Sequence, residues 1–106
     1  MQVQVNTDRN IQGSEGLASR VKDMVNRHLD RFSEDATRAE VYITDQNSTS
    51  KGGSTDIRCQ LEVRLAGRDP LSVSDNAADV EQAVNGASQK MVRLLESTLG
   101  KANRRG

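Results

Sequence analysis

A chain of 106 residues that is 34% hydrophobic, with one Tyr, one Phe and no Trp, has room for one domain with a thin aliphatic core and not for two. Its 15 basic and 15 acidic residues cancel, so bulk charge does not mark a nucleic-acid binder, and such a surface would have to come from charge segregation along the chain. One Cys excludes an internal disulfide and a cysteine-only metal site, and no apolar run approaches a membrane span.

The opening MQVQVNTD alternates and does not present an apolar signal segment, so the expectation is a soluble cytoplasmic domain over 1–106. Val3 and Val5 alternate with Gln2, Gln4 and Asn6, which predicts a short first strand ended by Asp8, Arg9 and Asn10. Ser14 is placed to cap a helix, with Glu15 in its first turn, where a carboxylate complements the helix dipole. From residue 15 to about residue 32 the period is helical, and Leu17, Val21, Met24, Val25, His28, Leu29 and Phe32 share one arc. Arg20, Arg27 and Arg31 form a stripe along one border of that arc. Taken alone, such a stripe is an ordinary solvated flank with charge pairing one turn apart.

Ser33, Glu34 and Asp35 close the helix. Residues 39–44 read as a second strand with Val41 and Ile43 facing the same way. Residues 45–55 hold no apolar side chain and include Gly52 and Gly53, which predicts a flexible hairpin loop. Lys51 beside those glycines lacks the spacing and the following helix of a phosphate-binding loop.

Residues 56–66, D-I-R-C-Q-L-E-V-R-L-A, carry the clearest period of the chain. Ile57, Cys59, Leu61, Val63 and Leu65 fall on one side; Arg58, Gln60, Glu62 and Arg64 fall on the other. That is a central strand with one face packed and one wet. Gly67, Arg68, Asp69 and Pro70 make a turn, and residues 71–74 a fourth strand, with Pro70 where no ladder bond is lost. Asp75 or Asn76 caps a second helix running from residue 77 to about residue 99. Val80, Val84, Ala87, Met91, Leu94, Leu95 and Thr98 share its apolar face, and the small Ala83, Gly86 and Ala87 let it lie close on a sheet. Lys90, Arg93 and Lys101 share one flank, extended by Arg104 and Arg105 into a basic tail at 100–106. Residues 90–106 hold five bases and one acid, while 69–89 hold four acids and no base. The neutral total hides a polarised chain.

The order of elements predicts an α+β fold: a single two-layer domain, β-α-β-β-β-α, with a four-stranded sheet and two helices packed on its Ile57/Leu61 face. His28, with no Cys, Asp or Glu at ligand spacing, reads as a core or boundary histidine. Cys59, on the apolar face, reads as an inert thiol. No Ser, Cys or Thr is presented with a base, so the reading is non-catalytic, with no metal, cofactor or small-molecule substrate.

Three strings occur in one order: Asn10-Ile11-Gln12-Gly13-Ser14-Glu15-Gly16-Leu17; Leu61-Glu62-Val63-Arg64-Leu65 before Gly67; and Asp79-Val80 through Ala83-Val84-Asn85 to Lys90-Met91, Arg93 and Leu95. Together they resemble the short form of the ribosome hibernation-promoting factor and ribosome-associated inhibitor family. The resemblance implies a fold akin to double-stranded-RNA-binding domains. It implies docking in the decoding cleft of the small ribosomal subunit, against ribosomal RNA phosphates, so that idle ribosomes stay inactive. Lys90 and Arg93 match basic positions of the family's second helix, and Lys101 falls in its basic end. Arg20, Arg27 and Arg31 lie on the helix where the family also carries bases, and Arg104 and Arg105 continue the surface. Ser97-Thr98-Leu99 stands where the family usually has a lysine-rich run. The alternative is a protein-interaction module of the same fold that has lost RNA affinity. Acids such as Asp23 and Glu96 interrupting the positive surface would favour that alternative. A monomer is expected for the free protein.

Overall fold

The computed structural model describes residues 1–8, 11, 15–46 and 56–104, with residue 15 and residues 100–104 described by backbone alone. In chain order the elements are β1 (Gln2–Thr7), α1 (Glu15–Leu29), a short 3-10 turn (Asp30–Phe32), β2 (Ala36–Asp45), β3 (Ile57–Leu65), β4 (Leu71–Ala77) and α2 (Val80–Arg104). The four strands form one sheet in the order β1-β2-β3-β4. β1 runs parallel to β2, which requires the crossover through α1, and the other two pairings are antiparallel. The predicted α+β class, element order and central position of the 57–65 strand are what the fold has.

The core follows from the alternation of β3. Ile57, Cys59, Leu61, Val63 and Leu65 are all buried, and the register sets Leu61 beside Val41 on one flank and Val73 on the other. Val3, Ala39, Val41 and Ile43 extend the same face. Leu17, Val21, Val25 and Leu29 of α1 and Ala83, Val84, Ala87, Met91 and Leu95 of α2 close over it. Each buried Leu or Val is worth about 1.5–3 kcal/mol of transfer free energy. Small and medium aliphatic groups thus make up most of the core, with Phe32 its one aromatic side chain among the described residues.

Three predicted boundaries move, each because tertiary pairing overrides local signals. The α-helical hydrogen bonding of α1 stops at Leu29, and a tighter turn carries Phe32 into the core, where it is 2% exposed. β2 begins at Ala36, three residues earlier than predicted. Ala36 pairs with Leu65 before a bulge at Arg38, and Ala66 N–H donates to the Asp35 carbonyl at 3.1 Å. Asp75 and Asn76 do not cap α2. Both are strand residues, because β4 continues pairing with β3 to Ala77. The cap is Asp79, whose Oδ1 accepts from the Gln82 backbone N–H at 2.8 Å while its carbonyl accepts from Ala83 at 3.1 Å. The predicted Ser14 cap, most of the 45–55 loop and residues 105 and 106 lie outside the described residues.

Candidate nucleic-acid interface

The helices lie side by side on the sheet, and polar bridges join them in the same order along both. Arg20 Nε donates to Glu81 Oε2 at 3.1 Å. His28 Nε2 meets Asn85 Oδ1 at 2.9 Å, which fixes that nitrogen as the donor. Arg31 pairs with Glu96, and its guanidinium also stands 4.9 Å over the Phe32 ring. Their spacing explains why they form: Arg20 and Arg31 border the apolar arc that runs from residue 15 to about residue 32 and His28 lies within it, on the side where α2 comes alongside.

Between those bridges the surface opens into a groove of about 470 Å³ lined by Arg27, His28, Arg31, Gln89, Val92 and Arg93. A second recess of about 380 Å³, lined by Met24, Arg27, His28 and Asn85, adjoins it. Arg27 and Arg93 are exposed, and neither has an acidic partner among the described residues. Two unpaired guanidiniums and a third in an exchangeable surface pair make a groove suited to phosphate. The Arg31–Glu96 pair is more than half exposed on both sides, so water and salt screen it and it gives way readily to a competing anion.

Of the eight predicted cationic residues, the five whose side chains are described do not form one surface. Arg27, Arg31 and Arg93 come together in the groove. Arg20 is tied to Glu81 nearer the helix starts. Lys90 is on the far flank of α2, above β4, where Nζ reaches Asp75 Oδ1 at 3.1 Å and donates to the Ser74 carbonyl at 2.8 Å. Lys101 and Arg104 continue α2 as backbone, and Arg105 lies outside the described residues. Glu81, Glu96 and Asp75 therefore interrupt the expected positive stripe. Gln89 lines the groove and Asn85 the adjoining recess although the period of the chain did not select them, and His28, which the period set in the apolar arc, lines both.

The open face of the sheet is mixed in charge, as its alternation implied. Arg38 Nε donates to Glu40 at 2.9 Å and also bonds Gln4, and the Tyr42 hydroxyl donates to Glu40. The Tyr42 bond first, and then Arg38, hold the Glu40 carboxyl below its ordinary range. The same bond pushes the Tyr42 phenol up. On the closed face, burial first and then the charge of Asp75 push the Cys59 thiol up to about 12. A thiol so placed is no nucleophile. Among the described residues no group of three or more His, Cys, Asp or Glu is placed to hold a metal ion, and no helix is long and apolar enough to cross a membrane.

Comparison with known proteins places this geometry. The family model described as sigma 54 modulation protein / S30EA ribosomal protein matches residues 4–103. The N-terminal domain of Protein Y from Thermus thermophilus is similar in structure, with a TM-score of 0.66 at 19% identity, over 92% of this chain and 99% of that one. A ribosomal subunit interface protein from Coxiella burnetii is similar with a TM-score of 0.70 at 13% identity, over 92% and 97% of the respective chains. At these identities the two likenesses speak for the fold. No curated protein matches the sequence.

Proposed function

The chain belongs to the sigma 54 modulation protein / S30EA ribosomal protein family, and from that membership we propose that it binds the small ribosomal subunit in the decoding cleft. There it occupies the place of messenger and transfer RNA and holds idle ribosomes inactive during stress or stationary phase. It works in the cytoplasm as a monomer, without a cofactor and without catalysing a reaction. The observation that carries this reading is the groove between α1 and α2, where Arg27 and Arg93 stand unpaired beside Arg31 among the described residues. Guanidiniums held on rigid helices recognise the shape and phosphates of structured RNA without reading base edges. In the sequence, Lys101, Arg104 and Arg105 add three further bases after Arg93.

A second reading, a protein-interaction module with reduced RNA affinity, is favoured by one observation: Arg20, Arg31 and Lys90 are each paired with an acid of this same chain. Co-sedimentation with purified small subunits at two salt concentrations separates the two. Binding at low salt that weakens steeply as salt rises supports the ribosomal RNA reading, because phosphate contacts release counterions. No binding at low salt, or binding indifferent to salt, removes it and leaves the protein-interaction module.

A further inference from the structure

We propose that two copies of this chain pair antiparallel through the outer edge of β1, joining their two four-stranded sheets into one. The pairing belongs to the protein off the ribosome, at high concentration, and does not rest on the ribosome-binding reading. A single chain remains the form proposed for the decoding cleft.

The two edges of the sheet are built differently. Edge strands usually carry a charge, a proline, a bulge or a cover, because their unpaired N–H and C=O groups recruit another strand. β4 has such protection: Pro70 precedes it, Asp75 points a charge inward, and Lys90 Nζ already holds the Ser74 carbonyl at 2.8 Å. β1, read QVQVNT, has no charge, proline or glycine, and it pairs with β2 without a register shift. Among the described residues no strand meets its outer side. Asp8 N–H donates to the Ile43 carbonyl at 3.1 Å, one residue past β1 and in step with it. In a parallel ladder alternate residues bond the same neighbour, so Gln4 and Asn6 turn their amides to β2 while Val3 and Val5 turn theirs outward.

The partner that fits this edge is a second copy. A two-fold axis beside Gln4 sets Val3 of each copy opposite Val5 of the other, so that their outward N–H and C=O groups are exchanged and Gln4 lies opposite Gln4. Met1 and Val5 are only partly buried at that margin of the core, and the pairing continues the apolar layer across the joint. The open-face side chains brought together, Gln2, Gln4 and Asn6, are uncharged amides. With 15 bases against 15 acids, the copies do not repel one another at a distance. So short an edge buries less area than a permanent dimer does, and the association is weak and concentration-dependent.

Sedimentation equilibrium of the intact protein, from about 10 μM to about 1 mM, should show single chains in equilibrium with pairs. Gln4→Lys sets two ammonium groups side by side and should weaken the pair about fivefold or more, with the unfolding midpoint nearly unchanged. Ser72→Lys, at an exposed position on β4, should leave the association as in wild type. Gln4→Cys gives a second readout. Opposite residues in an antiparallel pair that is not hydrogen-bonded have Cα atoms about 4.5 Å apart, within disulfide range. Mild oxidation should therefore link two Gln4→Cys chains rapidly and two Ser72→Cys chains far more slowly, and the buried Cys59 does not compete. Single chains at every concentration overturn the proposal. So does a pair lost on Ser72→Lys but kept in Gln4→Lys, or a Gln4→Cys protein that links no faster than Ser72→Cys. Small-subunit binding is measured separately and stands or falls on its own.

Discussion

A Cβ added to Gly86 would stand 1.7 Å from Oδ2 of Asp75. Asp75 is opposite Cys59 in the ladder and so faces the closed side of edge strand β4. Its carboxylate fills the space a side chain at residue 86 would take, and Lys90, one turn further along α2, neutralises it. Helix, strand and ion pair are thus one arrangement that needs glycine at a single helical position.

The first prediction tests that arrangement. Gly86→Ala alone should lower stability by about 1 kcal/mol, because Asp75 must rotate away from Lys90. In an Asp75→Ala background the same change should raise stability by up to about 1 kcal/mol, the ordinary preference of a helix for Ala over Gly. Urea unfolding of the four proteins measures the coupling; additive effects would show that the two residues are independent.

Charge reversal should divide the cations by their surroundings. Arg27→Glu and Arg93→Glu should weaken binding to small subunits about tenfold or more at low salt and reduce the salt slope by about one each. Their unfolding midpoints should barely move. Lys90→Glu should instead lower stability by about 1 kcal/mol, since it sets a second carboxylate beside Asp75. Its effect on ribosome affinity should be the smallest of the three. Parallel co-sedimentation and thermal melts read both quantities.

On the proposed ribosome binding, Glu96 competes with RNA for Arg31. Glu96→Gln should therefore tighten binding to the small subunit and steepen its salt dependence. The pair is well exposed on both sides, so stability should change by no more than about 0.5 kcal/mol. Binding unchanged by Glu96→Gln would mean that Arg31 does not reach the ribosome.

Cys59 predicts a stability limit at high pH. Its thiol is raised in the folded protein from 9.0 to about 12, so between those values the unfolded chain loses a proton that the native chain keeps. Stability is then fully present below about pH 9 and falls as pH rises towards 12, by up to about 1.4 kcal/mol per unit. Cys59→Ala should flatten that part of the curve, whatever its own packing cost at neutral pH. In the native protein, disulfide reagents should modify Cys59 only as fast as the domain opens.

Ser88 is fully buried on the inner face of α2, and its hydroxyl has no hydrogen-bond partner among the described residues. Ser88→Ala should stabilise the protein by about 1 kcal/mol, through the removed desolvation penalty and the better helix former. Denaturant midpoints check it.

The sheet was legible because β3 alternates without interruption and one buried face fixes which residues point inward. The edges of elements were not. Asp75, Asn76 and Asp79 are equally good caps by residue type, and only pairing of β4 with β3 through Ala77 selects Asp79. Ala36 and Thr37 carry too little apolar contrast to announce a strand, yet Ala36 is held by Leu65. The charge stripe was the least legible feature. Arg20 and Glu81 are separated by 61 residues, and Arg31 and Glu96 by 65. No periodicity within one helix reveals a partner on another. For the same reason His28 reads from the sequence as a core or boundary residue, and only the fold sets Asn85 and Gln89 beside it.

The ladder between β2 and β3 sets Arg38 opposite Arg64 and Glu40 opposite Glu62, like against like in two successive rows, which is unfavourable in an antiparallel pair. A slip of two residues would keep every side chain on its own face and bring Arg38 opposite Glu62. Electrostatics on the open face therefore favour an incorrect alignment, and the alternation of the closed face is blind to it, since both repeat every second residue. The choice falls to features that cannot slide: the bulge between Ala36 and Arg38, the Asp35–Ala66 bond that pins the strand ends, and the left-handed Gly67 that starts the return into β4. Alignment of the sheet is thus decided at its corners, while the long alternating run that first identifies the fold decides only which way each residue faces.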